Sequence, residues 1–116
     1  MLRRIVTVLA AGAMLAGFGL AASGTAQAGE GGYWATQCDY GRACLHLSGL
    51  RQGPGGAYWN MIGCGRHPIN DYYDAGLAHG NTFIVTYLDN RWDRVDAWTG
   101  RGLDASNLVT EVFIPC

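Results

Sequence analysis

Four cysteines, Cys38, Cys44, Cys64 and Cys116, constrain this chain more than any other feature of it. A disulfide needs its Cα atoms within ~4.4–6.8 Å, so each pairing dictates a reversal of the backbone. In Cys38-Asp39-Tyr40-Gly41-Arg42-Ala43-Cys44 the reversal is local. Asp39 can bond its own backbone there, and Gly41 accepts a positive φ. Leu45-His46-Leu47 follows with apolar, polar, apolar alternation, the pattern of a half-buried strand. An even cysteine count in a small exported domain reads as two disulfides, with three pairings open. Chain entropy does not choose between them. Closing ~7 residues is worth ~2.3 kcal/mol and ~53 residues ~4 kcal/mol, and the crossed pairings constrain the unfolded chain at least as much. Proximity does choose: the Gly-containing turn brings Cys38 to Cys44 first, leaving Cys64 for Cys116.

The export reading comes from the start of the chain. Met1-Leu2-Arg3-Arg4 is basic, the run from Ile5 to Leu20 is apolar, and Ala26-Gln27-Ala28 is a small-x-small cleavage pattern. Residues 1–28 therefore read as a signal peptide, and 29–116 as a single secreted, extracellular β domain. Gly12, Gly17 and Gly19 interrupt the apolar run, which argues against a retained membrane span. The mature chain has 88 residues, enough for one domain. Arg3 and Arg4 leave with the signal, so six arginines face nine carboxylates and the mature charge is −3. With no lysine and scattered arginines, neither a nucleic acid nor a membrane surface is an expected partner.

Along the mature chain, Gly29 to Thr36 reads as an arm or edge strand. Ser48 to Gly56 is a long Gly/Pro turn, and Ala57 to Ile62 an aromatic-rich strand that Gly63-Cys64-Gly65 breaks. Ile69 to Ala78 lacks a sustained period, and we expect a turn with one helical winding there. Thr82 to Leu88 is the clearest strand, with Phe83, Val85 and Tyr87 on the buried face. Asp89-Asn90-Arg91 turns the chain into a returning strand from Trp92 to Trp98. Thr99 to Gly102 reads as a loop, Leu103 to Asn107 as an Asx/Ser turn, and Val109 to Ile114 as the last strand. Short strands with regularly spaced turns predict an all-β sandwich. A core this small makes disulfide staples physically sensible.

The chemistry-bearing patterns are few. No nucleophile elbow, zinc-protease motif or phosphate loop is present. Cys64-Gly65-Arg66-His67 lacks two further zinc ligands at matching spacing. His46, His67 and His79 with Ser48 or Ser106 show no spacing that favours a triad. Asp89, Asp93 and Asp96 miss the rhythm of a calcium loop, and Asn70-Asp71 lacks the Ser/Thr that would complete a crystallin-type calcium signature. The expectation is a non-enzymatic protein with no cofactor and no metal.

Cys38, Gly41, Cys44 and Leu45 form a Cys-x-x-Gly-x-x-Cys-Leu opening that resembles a bacterial family of small secreted peptidase inhibitors, of the metalloproteinase-inhibitor type. The resemblance implies a βγ-crystallin-like Greek-key sandwich. Ile69-Asn70-Asp71-Tyr72 would close the first key, Val85 to Asn90 would open the second, and Leu103 to Leu108 would close it. It differs in two places: His46 stands where the family usually has an aromatic, and the last cysteine is at the C-terminus. By this resemblance the domain is expected to be a monomer that inhibits a secreted protease through a rigid exposed loop. Leu50-Arg51-Gln52 and Thr99-Gly100-Arg101 are both open as that loop, with Leu50, Arg51 and Arg101 the candidate contacts. The alternative is a secreted interaction, antimicrobial or cell-surface binding protein without a protease target, with Trp92 and Trp98 as contacts.

Overall fold

A computed structural model describes residues 31–116. The expected signal peptide and its cleavage point lie outside the described residues. Nine strands follow in order: β1 Gly32–Ala35, β2 Ala43–Leu47, β3 Tyr58–Met61, β4 Gly65–Asp71, β5 Tyr73–Ala78, β6 Phe83–Tyr87, β7 Trp92–Val95, β8 Gly100–Gly102 and β9 Val109–Ile114. They make two antiparallel sheets, ordered β1-β3-β2-β5-β8 and β4-β9-β6-β7. The domain is all-β, as expected.

The chain distributes itself between the sheets by one rule applied twice. Strands β2, β3 and β5 lie together while β4 crosses to the other sheet; β6, β7 and β9 lie together while β8 crosses back. Each half thereby closes the other's sheet, an order compatible with the expected Greek-key sandwich.

Period-two burial builds the core. Phe83, Val85 and Tyr87 of β6 point inward, as expected, with Leu45 and Leu47 of β2 and Val95 of β7. On β9, Val109 and Val112 are both buried although three residues apart. Strict alternation would put them on opposite faces. A bulge between Val109 and Glu111 absorbs the odd residue and returns Val112 and Ile114 to the core.

Both expected disulfides are present, Cys38–Cys44 with Cα atoms 5.7 Å apart and Cys64–Cys116 with 5.8 Å. The first loop is also held from inside by Asn60, which is fully buried. Its Oδ1 accepts from the Asp39 amide at 2.8 Å, and its Nδ2 donates to the Gln37 carbonyl at 3.0 Å. Gly41, with φ at +83°, donates to the His79 carbonyl.

Three expectations are corrected. The segment Ile69 to Ala78 holds no helical winding. It is the end of β4, a one-residue corner at Tyr72, and β5. Its weak period arises in β5: β4 alternates, with Arg66, Pro68 and Asn70 exposed, but β5 buries Tyr73, Gly76 and Ala78, and the three-residue step from Tyr73 to Gly76 breaks the alternation. Thr99 to Gly102 is not all loop, because Gly100–Gly102 pairs with β5 as an edge strand. The returning strand stops at Val95, short of Trp98. From Asp96 the chain turns toward the other sheet: the Thr99 amide donates to the Asp96 carbonyl, and the Trp98 amide donates to the Ala78 carbonyl at 2.7 Å. Trp98 takes a φ of +64° to do so.

Candidate functional site

The Ser48–Gly56 connection is the most elaborately held loop. Leu50 stands at its tip, 99% exposed. Beside it Arg51 turns inward: its guanidinium donates to Asp71 Oδ1 at 2.7 Å, to the Tyr72 carbonyl at 2.8 Å and to Ser48 Oγ at 3.0 Å. The Gly49 amide donates to Asp74 Oδ2, while Asp74 Oδ1 meets His46 Nδ1 at 2.7 Å. At the far end Gly53 and Gly56 exchange backbone hydrogen bonds at 2.8 and 3.3 Å. Glycine is required at Gly53 because a Cβ there would lie 2.2 Å from the Trp34 ring. An apolar side chain is thus displayed on a loop tied at three points.

The Asp71 carboxyl is pushed up by partial burial. The Arg51 hydrogen bond, the Tyr72 amide and the Arg51 charge outweigh that and hold it below the usual carboxylate value of 3.8. A depressed carboxylate contributes its stability above the unfolded value and loses it as pH falls through the folded one. The loop brace is therefore expected to be intact at neutral pH and to loosen below about pH 4. Amide hydrogen exchange across residues 48–56 should accelerate there ahead of exchange in β6; equal rates would refute the link.

Arg101 stands differently. It lies on β8, where its Nη2 pairs with Asp93 at 3.3 Å and its Nη1 donates to the Arg94 carbonyl at 3.2 Å. Leu50, Arg51 and Arg101 are therefore not three equivalent contacts. Leu50 is displayed, Arg51 serves as a brace, and Arg101 ties an edge strand to the opposite sheet.

The remaining polar candidates have structural partners. Cys64 is bridged, and His67, buried on β4, meets the Gly63 carbonyl through Nε2 at 2.9 Å. His79 Nδ1 meets the Cys38 carbonyl at 2.8 Å. Asp74 orients His46, but the Ser48 hydroxyl is taken by Arg51, and among the described residues no serine hydrogen-bonds an imidazole. At the Asp89 turn, the Asn107 side chain first and Arg91 second draw the Asp89 carboxyl down to about 2. Arg91 Nε donates to Asp89 Oδ2 at 2.7 Å.

One grouping was not legible in the sequence. Tyr40, 86% exposed on the first disulfide loop, packs against Trp98, 59% exposed, with ring centroids 5.4 Å apart. The left-handed backbone of Trp98 is the local signal, and it becomes readable only once the chain is folded.

No protein-family model, curated protein or solved structure matches this chain. What its residues define is an all-β domain of two sheets closed by two intramolecular disulfides, compatible with an oxidising, extracellular location.

Proposed function

We propose that the domain is a secreted peptidase inhibitor that presents Leu50 to the cleft of a protease. The supporting observation is the contrast between the fully exposed Leu50 and the tied backbone on either side of it. A loop ordered before binding loses little conformational freedom in the complex, so contact energy is retained as affinity. Arg51, initially a candidate contact, takes the bracing role in this reading. Arg101 stands outside the interface.

The test is stoichiometric inhibition of a panel of secreted metallo- and serine proteases. Burying a leucine is worth about 1.5–3 kcal/mol, so Leu50→Gly should weaken inhibition about ten- to a hundredfold. The melting temperature should stay unchanged, because the side chain touches solvent only. Arg101→Gly should leave inhibition intact. Absence of inhibition by the natural chain, or full inhibition by Leu50→Gly, would overturn the proposal.

A second reading has its own observation, the exposed Tyr40–Trp98 pair. Solvent-facing aromatics on a disulfide-closed turn suit adhesion to a surface or another protein. That reading gains if no protease is inhibited and Trp98→Ala abolishes binding to cells or wall material.

A further inference from the structure

We propose that a cleft between the β1–β3 edge and β4 binds one ring of a neutral saccharide. Its aromatic wall is Trp34 and Trp59, register partners on β1 and β3, with centroids 5.1 Å apart and planes tilted by 55°. Both indoles are half-buried and fixed from behind by backbone. A Cβ on Gly53 would lie 2.2 Å from the Trp34 ring, and one on Gly32 2.9 Å from the Trp59 ring. Glycine backbone thus packs directly against each ring on that side.

The polar side of the cleft is Asn70 and Asp71 at the end of β4 and Tyr73 at the start of β5. Tyr73 lines the cleft with its ring largely buried, and its hydroxyl, which makes no hydrogen bond among the described residues, is not a sealed orphan in the core. A ligand hydroxyl meeting it would exchange a hydrogen bond to water for one inside the complex, worth about 0.5–1.5 kcal/mol. Burial, and then the charge of Asp71, push the Tyr73 pKa to about 12, so the phenol keeps its proton and can donate. Asp71 stays ionised and accepts, and the Asn70 amide can do both.

The combination fits a sugar. The C–H face of a pyranose needs an aromatic surface, and its ring hydroxyls need closely spaced donors and acceptors. Charge separates this ligand from the obvious competitor, a quaternary ammonium, which aromatic cages also hold. Asp71 is already paired with Arg51 at 2.7 Å, so the cleft has no uncompensated negative charge for a cation. Size limits the ligand further. The cleft volume is about 250 Å³. That lies below the roughly 300–1,000 Å³ of sites for larger molecules, so one ring enters and the rest of an oligosaccharide remains in solvent.

The site is separate from the Leu50 tip, although Asp71 serves both, so the test leaves Asp71 and Arg51 untouched. Tryptophan fluorescence of the intact domain is titrated with cellotetraose, chitotetraose, mannotetraose and choline. At least one saccharide should give a saturable shift in the millimolar range or tighter, and choline none. Tyr73→Phe removes one oxygen and no apolar contact, and should weaken that binding about five- to tenfold. Trp59→Phe should weaken it as well, while Trp98→Ala should not. No saturable response to any saccharide, a response to choline alone, or unchanged affinity in Tyr73→Phe would overturn the proposal. Should Trp59→Phe fail to fold, Tyr73→Phe still decides. Binding is read here without any protease, so this result and the inhibition assay stand or fall separately.

Discussion

Phe83→Ala should lower the unfolding free energy by about 3–5 kcal/mol. The ring is fully buried at the start of β6, where the two sheets face each other. Its neighbours are already shaped around it. A Cβ on Gly76 of β5 would lie 3.3 Å from the Phe83 ring tip and 3.0 Å from Val95. That glycine leaves room for the large side chain opposite. Truncating Phe83 therefore opens a cavity that Gly76 cannot fill. Small domains retain only about 5–15 kcal/mol in total, and for a domain of this size each kcal/mol moves the melting temperature by about 4–8 °C. Thermal and urea unfolding should both register the loss, and an unchanged melting temperature would place Phe83 outside the core.

The second large effect is expected from the longer disulfide. Replacing Cys64 and Cys116 together by Ser should cost about 4 kcal/mol, and replacing Cys38 and Cys44 nearer 2 kcal/mol, in the chain-entropy account. Tertiary structure widens this difference. Cys116 anchors the chain just after β9, which lies between β4 and β6 inside its sheet. Its release lets a central strand fray. The Cys38–Cys44 loop retains Asn60 and the Gly41–His79 backbone bond when its bridge is gone. Urea denaturation of the two double variants measures the difference. A larger loss from the shorter bridge would contradict both the entropy argument and the bracing role of Asn60.

Legibility varied with how local the governing interaction is. The Asp89-Asn90-Arg91 turn was readable because its chemistry lies within it. Asn90 takes a φ of 71°, and the Arg91 amide bonds back to Asp89. The Phe83 strand was readable because one buried face and β-branched density suffice to define it. The strand pair across Ile69 to Ala78 was not, because each strand pairs with a partner distant in sequence, β4 with β9 and β5 with β2 and β8. Edge strand β8 is three residues rich in glycine, and it is a strand only because β5 lies beside it. Among the candidate contacts, exposure of the Leu50 loop followed from its Gly and Pro content. Arg51's inward turn did not, since its partners Asp71 and Tyr72 are 20 and 21 residues away.

By itself the sequence determined the all-β class, the strong inner strand, and the local reversal that pairs Cys38 with Cys44. Each of these depends on neighbours along the chain: alternation, turn residues and a short loop to close. Only the tertiary structure decided which strands exchange sheets, which side of the Ser48–Gly56 loop is braced, and that Trp34, Trp59 and Tyr73 converge on one cleft. Those outcomes depend on pairings between distant segments. Such pairings form only when the whole core closes and the loss of loop entropy is offset by burial.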